Sequence, residues 1–523
     1  MIDKFLNNRF YTLYLIPFVI GSLAILSFPP FNYIFFNFVI FPIFFYLIIF
    51  IKKKSKSTYR KKPFKKNLFI FGTSLGFGFY LSGIHWITNS LTFDENFKFL
   101  IPFGLVLIPL FLSLFFSILI VLIGPLLNLN FNSIFLLSGG LALSDYIRSK
   151  ILSGFPWNLW SYSFSGFTEI IQILNKIGLF AFNLIAITIF LLPVTIFFKI
   201  QTRKKLLYLS FIPAILFILY IFGDHSLNQN EKKINLIEEK FNIKVISPNF
   251  ALRYGLGEEE IEDRLQKLIK YSDPNKKLKT LFIWPEGVFS GYSYREILYL
   301  REIFSKNFGT EHFILFGVNK ASKKQDGFYN SLIIVNNKME IIQEYKKQKL
   351  VPFGEFLPFE KILRRLGLKK ITEGHGSFLK GTIQKNLIFE NLNILPLICY
   401  EIIFTELTQK SDKGTNLIIN VSEDGWFGNS IGPYQHFSKG VFRAVEQNTF
   451  LIRSANKGIS AIVNNKGEIV KKLDLNEAGN IEFEVPLIQN KNIVKNKNDL
   501  IFFILLITYI FIFKYYRKSN DKK

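Results

Sequence analysis

The chain of 523 residues has one cysteine, Cys399, and only five histidines. A single thiol excludes an intrachain disulfide. Five scattered His and one Cys leave no group with transition-metal spacing, so no metal and no cofactor is expected. Acids are scarce as well: 39 Asp and Glu stand against 64 Lys and Arg, a net charge of +25. No internal repeat and no low-complexity tract is present. A small-residue cleavage site is missing after the first apolar run, where "FPPFN" stands instead. That run is therefore not expected to be a cleaved signal peptide.

What the chain does have is apolar length. Hydrophobic residues make up 49% and Phe alone accounts for 61 positions, which is membrane rather than average soluble composition. Apolar runs occupy Phe10–Phe28, Phe31–Ile51, Leu68–Ile87, Leu100–Ile123, Ile177–Phe198 and Leu206–Phe222. About 20 helical residues cross a bilayer. Ile134–Ile147 is a weaker span with Asp145 inside it, and Leu500–Phe513 is a short last one. The expectation is seven spans, a long polar region, then one more span.

The positive charge does not point to nucleic acid. Most of it sits in four segments, 1–9, 52–66, 199–205 and 514–523, each flanking an apolar run. Cytoplasmic loops carry such Lys/Arg excess. With the N-terminus inside, "KKKSKSTYRKKPFKK", "KIQTRKK" and the tail "KYYRKSNDKK" all lie in the cytoplasm. Arg148 and Lys150 are the exceptions, falling outside. Seven spans then place residues 223–499 on the extracytoplasmic face. The domains expected are 1–222 in the membrane, 223–499 outside it, and 500–523 as a last span with a basic tail.

Within 223–499, "NIKVIS", "TLFIW", "HFILFG", "SLIIVNN", "LNILPLIC", "NLIINV" and "SAIVNN" read as strands, with helices at Glu258–Tyr271 and Tyr294–Phe304. Strands alternating with helices argue a layered α/β domain. Four stretches in it carry chemistry. "TLFIWPEGVF" ends a strand at Pro285 and presents Glu286 beside Trp284, a partly dry place suited to a general base; a surface Glu is the alternative. "EYKKQKLVPFGEFLP" offers a Lys to stand beside a developing oxyanion, with Glu355 to orient it or assist the base; a solvated basic turn is the alternative. "LPLICYEIIF" stops a strand at Cys399 and continues with Tyr400 and Glu401. A lone Cys is often a buried, inert hydrophobe, but a strand-to-turn thiol is expected to be exposed, and with a base and a cation nearby it becomes a nucleophile. Last, "NLIINVSEDGWFGNSIGPYQH" sets Asn420, Asp424 and Trp426 after a strand, with a helix starting near Pro433. His436 there is expected to make a structural hydrogen bond rather than act as a second base.

Glu286, Lys347 and Cys399 are separated by 61 and 52 residues. In that order they resemble the Glu–Lys–Cys triad of the nitrilase superfamily. "WPE", "KQKLVPFGEFLP", "ICYE", "DGWFGNSIGPYQH" and, upstream, "SDYIRSKILSGFPWNL" resemble one branch more closely, the apolipoprotein N-acyltransferases. The resemblance runs along essentially the whole chain. It implies a polytopic α-helical membrane domain plus an α/β nitrilase-like αββα sandwich domain. It implies Glu286 as general base, Lys347 rather than Lys346 or Lys349 as oxyanion partner, and Cys399 as nucleophile. Glu355 matches the second glutamate, Tyr400 and Glu401 support the nucleophile, and Trp426 matches an aromatic near the entrance. Gly287-Val288 replaces the usual small pair after "WPE", Ser247-Pro248-Asn249 replaces a Gln-Gly-Asn, and Asp145 replaces a Glu; none touches the triad.

The implied reaction is acyl transfer from a membrane phospholipid to the α-amine of a diacylglyceryl-cysteine on a lipoprotein. It proceeds through a Cys thioester in a bacterial cytoplasmic (inner) membrane protein facing the periplasm. Expected partners are the phospholipid donor, the lipoprotein acceptor and the bilayer, with no nucleic acid, and the chain is expected to be a monomer. Trp157 and Trp160 in "FPWNLW" are expected either to line the acyl-chain entrance or to form an interfacial belt. The nearest rival is a membrane-anchored amidase or hydrolase of the same superfamily. A receptor or transporter is the rival of another class, disfavoured by how few ionisable residues lie inside the spans.

Overall fold

The computed structural model describes residues 6–55, 62–253, 255–365, 377–382, 386–409, 414–488 and 497–520. Parts of three basic segments used for orientation, 1–5, 56–61 and 521–523, lie outside the described residues. The chain divides into two units. One comprises residues 1–88, 99–226 and 496–523, and the other 89–98 and 227–495.

The first unit is helical because its apolar runs satisfy every backbone group internally, which hydrocarbon demands. Its helices are α1 (Tyr11–Ser27), α2 (Phe35–Lys54), α3 (Phe64–Ile84), α4 (Ile101–Ile123), α5 (Phe131–Lys150), α6 (Leu179–Leu191), α7 (Thr202–Asn235) and α10 (Lys497–Asn520). All eight expected runs are helical. Six of them are long and apolar enough to cross a membrane, α6 with its continuation to Phe197; α1 is shorter, and α5, the weaker expected span, is not among the six. The boundary expected at residue 222 falls inside α7, which continues without a break to Asn235.

Small residues set how close α3 comes to its neighbours. A Cβ on Gly72 would lie 2.7 Å from Ser117 Cα, and one on Gly76 would lie 2.8 Å from Ser113 Cα, both on α4. One on Gly78 would lie 2.2 Å from Phe18 O on α1. Without hydrophobic drive between helices in lipid, such close backbone packing is what holds them.

α5 buries an ion pair. Arg148 donates to Asp145 Oδ1 at 2.9 Å and to the carbonyls of Phe155 and Trp157. Asn183 on α6 donates to Asp145 Oδ2 at 2.9 Å and accepts from Ser161 N at 3.0 Å. Arg148, an exception to the charge rule, is thus neutralised inside the unit, and its fork of donors holds the 155–161 segment. Both tryptophans of that segment are buried. Trp160 packs on Phe41 (4.7 Å), Phe79 (4.9 Å) and Phe28 (5.8 Å), and Trp157 on Trp86 (4.9 Å). At 1% and 4% exposed, they form neither a lipid-facing belt nor an open acyl-chain lining. Rings and charge packing against each other inside the bundle decide this.

The second unit is built on two six-stranded sheets. The strands are β1 (Lys240–Ser247), β2 (Thr280–Ile283), β3 (His312–Ala321), β4 (Phe328–Val335), β5 (Ile341–Lys346), β6 (Leu387–Phe389), β7 (Leu392–Ile398), β8 (Leu417–Glu423), β9 (Phe450–Asn456), β10 (Ser460–Val463), β11 (Ile469–Leu473) and β12 (Gly479–Pro486). Their orders are β12-β1-β2-β3-β4-β5 and β11-β10-β9-β8-β7-β6. β1, β2 and β3 run parallel, as do β7, β8 and β9. β2, β7, β8 and β9 are buried along nearly their whole length, as parallel strands covered on both faces are. The sheets pack with β1 against β9 and β4 against β7. α8 (Glu258–Ser272) covers β1, and α9 (Gly432–Gln447) covers β9. On α8, Ile261, Leu265, Leu268 and Ile269 form one apolar stripe at helical spacing, and all four are buried. The result is four layers, αββα. The carboxyl ends of β2, β7 and β8, where parallel sheets present ligands, carry the residues described next.

Candidate active site

Glu286 follows β2 after Trp284 and Pro285. Trp284 is fully buried and donates Nε1–H to Ser272 Oγ at 2.9 Å, anchoring the strand end. Gly317 on β3 makes room for the acid: a Cβ there would lie 3.0 Å from Glu286 Cα. Gly287 has φ +73°, so the chain turns away at once in a conformation that favours glycine. The carboxylate accepts from Asn330 Nδ2 at 2.7 Å and Lys347 Nζ at 3.5 Å on Oε1, and from Glu423 N at 3.2 Å on Oε2.

Lys347 is the first residue past β5, and its side chain is 1% exposed. Its ammonium donates to Glu355 Oε1 at 2.8 Å. Burial alone would lower a lysine, but the carboxylates of Glu286 and Glu355 outweigh it and hold Lys347 well above the ordinary range. Strand alternation separates it from its neighbours. Lys346 lies over the Tyr329 ring at 4.4 Å, and Lys349 pairs with Glu406 at 2.5 Å. The lysine chosen by resemblance is therefore the one that turns into the carboxylates.

Glu355 returns to the same point from the following loop. Its Oε2 accepts from Val351 N at 2.8 Å, and its Oε1 accepts from Asn330 Nδ2 at 2.8 Å. Asn330, on β4, thus gives one amide hydrogen to each glutamate. No motif marked it; an Asn inside the apolar strand "FYNSLIIV" was the available signal.

Cys399 is the first residue beyond β7, with φ +51°. A left-handed non-glycine residue at such a turn costs on the order of 1 kcal/mol and must be held by its surroundings. Asn420 on β8 does part of this, donating Nδ2–H to Leu397 O at 3.0 Å and to Cys399 O at 3.2 Å. Contrary to the exposed thiol expected, Cys399 is buried. The strand end lies between the two sheets rather than at the surface. Burial pushes the thiol pKa up and the Glu286 carboxylate pushes it further, while Lys347 opposes both.

Glu401 ties the Cys399 turn to the lysine segment. Fully buried, it accepts from Tyr345 OH (3.0 Å), Gln348 N (2.7 Å), Lys349 N (2.9 Å) and Ile398 N (2.9 Å). Burial raises its pKa to about 7 against the pull of those donors. Tyr345 was not singled out in the sequence. Tyr400 is also buried, its hydroxyl 3.4 Å from Leu350 O.

A second buried network lies behind the thiol. Asp424 accepts from Arg453 Nη2 at 2.7 Å and Ser422 Oγ at 2.6 Å, and its Oδ1 is 3.0 Å from His436 Nδ1. Burial and Arg453 pull His436 down to about 4, so it is neutral near pH 7. It makes the hydrogen bond expected of it. Glu423, also missed, is buried beside Glu286, and burial raises it to about 8.

Trp426 is half-buried on the turn after β8 and meets the Phe93 ring edge-on at 5.2 Å. Asn89 donates to Phe427 O at 2.6 Å. Residues 89–98 thus belong to this unit although they connect α3 to α4.

Residues 255–489 match the family described as Carbon-nitrogen hydrolase, and residues 20–192 match the Apolipoprotein N-acyltransferase N-terminal domain. Over 484 residues the chain is 31% identical to the apolipoprotein N-acyltransferase of Brucella suis biovar 1, covering 90% of this chain and 89% of that one. It is 34% identical over 423 residues to that of Rickettsia typhi, covering 80% and 83%. Among solved structures, Saccharomyces cerevisiae Nit3, of the nitrilase superfamily, aligns with 48% of this chain and 91% of its own, at 17% identity and a TM-score of 0.36. Both halves of the chain and a match along nearly its whole length lead to one family, and the chain belongs to the apolipoprotein N-acyltransferases.

Proposed function

We propose that this acyltransferase moves a fatty acyl chain from a membrane phospholipid to the α-amino group of the diacylglyceryl-cysteine at a lipoprotein N-terminus, through a thioester on Cys399. The observation that carries it is the convergence of Glu286 and Glu355 on Asn330 and Lys347, with the charges of Glu286 and Lys347 acting on the chain's one thiol.

Glu286 takes the thiol proton and the sulfur attacks the phospholipid ester carbonyl. Lys347, fixed by two carboxylates, stabilises the tetrahedral oxyanion; a fixed donor there contributes about 3–4 kcal/mol. The C–O bond breaks, and the lysophospholipid leaves as an alcohol carrying the proton back from Glu286. The lipoprotein amine then attacks the thioester, Glu286 receives its proton, and the C–S bond breaks to restore the thiol. The scheme is ping-pong. Glu401 keeps the lysine segment in register with the nucleophile's turn.

We take 1–222 as the membrane domain, 223–499 as the catalytic domain on the periplasmic face and 500–523 as the last span with its tail, acting as one chain. The loops' Lys/Arg excess supports this orientation. Full-length protein incubated with phospholipid should gain a fatty-acyl mass that maps to Cys399, is released by hydroxylamine, and moves to a diacylglyceryl-cysteinyl peptide. Free fatty acid with no acylated peptide would instead make the chain a hydrolase.

A further inference from the structure

The geometry points to Ser422 as a further catalytic group of this site: its hydroxyl is the donor that receives the Cys399 thiolate, and Asp424 positions it. The assignment rests on Cys399 being the nucleophile.

Three observations carry it. Parallel pairing of β7 with β8 sets Ile398 opposite Val421, so the next residues, Cys399 and Ser422, emerge side by side at the strand ends. Ser422 is fully buried, and it favours the charged form of the neighbouring Cys399 thiol. The same hydroxyl donates to Asp424 Oδ1 at 2.6 Å, while Asp424 Oδ2 is held by Arg453 at 2.7 Å.

One hydroxyl has one proton and here two claimants. At rest the hydroxyl proton points to Asp424, and the serine oxygen has lone pairs left to take the thiol S–H. When Glu286 removes that proton, the sulfur becomes an acceptor in a dry place, where an unpaired charge is costly. A rotation about the Ser422 Cβ–Oγ bond then carries the O–H from the carboxylate to the sulfur. No proton changes owner in that rotation. Asp424 keeps Arg453 and its contact with His436.

Asp424 is not a base here. Burial favours its neutral form, but Arg453 and then His436 overcome this and hold its carboxyl well below the usual range. It therefore stays ionised and, unscreened, opposes a thiolate. Ser422 stands between the two and turns that opposition into orientation. The other groups facing the thiol are Glu286, which opposes ionisation, Lys347, which favours it, and the Tyr400 phenol. Glu355 acts on it through Lys347.

The test uses the full-length chain in detergent. Its single cysteine makes each iodoacetamide adduct unambiguous by intact mass. Alkylation rate is followed from pH 6 to pH 10.5. A hydrogen bond to a charged group is worth about one to two pH units of midpoint. Ser422→Ala is expected to shift the profile up by that much, slowing alkylation at pH 8 about ten- to hundredfold. Ser422→Thr, which keeps the hydroxyl, should stay within about half a unit of the parent. An unshifted Ser422→Ala profile overturns the proposal. So does a Ser422→Thr shift as large, which would assign the effect to packing. If Ser422→Ala does not purify folded, Ser422→Gly, also lacking the hydroxyl, is read the same way. Failure to form any acyl-enzyme would end the acyl-transfer reading and leave this profile measurable.

Discussion

Replacing Lys347 with methionine tests the site most severely. The substitution removes an ammonium that is 1% exposed and leaves its surroundings in place. Glu286 Oε1 and Glu355 Oε1 then share only the Asn330 amide, at 2.7 and 2.8 Å. The two carboxylates are then left without the cation between them, and breaking a buried pair this way costs about 3–5 kcal/mol. The oxyanion also loses its donor, about 10²–10³ in rate. Acyl-enzyme formation, followed as the mass gain on Cys399, should fall by about 10²–10³, and the melting temperature should drop with it. A Lys347→Met variant that acylates within tenfold of the parent, or melts with it, would refute the reasoning.

Three further outcomes follow from the structure. Glu423 is pushed up to about 8 by burial, so the folded chain keeps a proton that an unfolded carboxyl releases near pH 4.3. This carboxyl therefore subtracts stability progressively as pH rises between those values. Glu423→Gln should melt close to the parent at pH 5 and increasingly above it toward pH 8; a constant gap would contradict that. Gly317→Ala puts a Cβ 3.0 Å from Glu286 Cα, so acylation should drop about tenfold or more through displacement of the base, with little change in melting temperature. Arg148→Met strands Asp145 and should cost about 3–5 kcal/mol, while adding Asp145→Leu should restore part of it. A double variant no more stable in detergent melts than the single would remove the ion pair from the account.

The membrane helices were legible because apolar length and flanking charge act locally. α5 was harder, since its Asp145 and Arg148 look foreign to a span until their pairing is seen. The burial of Trp157 and Trp160 was not legible, because it depends on rings distant in sequence: Phe28, Phe41, Phe79 and Trp86. In the sandwich, the apolar strands stood out. β9 did not, for it carries Arg453 and Asn456 inward to serve Asp424 and Glu423. Glu286, Lys347 and Cys399 came from motif order, and Lys347 was separated from Lys346 by resemblance alone. Asn330 lay outside the quoted stretches, and Tyr345, Ser422 and Glu423 lay inside them without being singled out. Each acts through another side chain distant in sequence, and such pairings exist only once the sheets are assembled.

The ten residues 89–98, assigned to the sandwich by their contacts, bear on how the protein can be dissected. A soluble fragment started after α7 would leave them behind. It would lose the Asn89 cap on Phe427 O and bare the edge of Trp426 that Phe93 covers. Trimming this chain to its hydrolase-like half thus removes a piece of that half. A minimal version would have to splice this short connector back in, or keep the hairpin that supplies it.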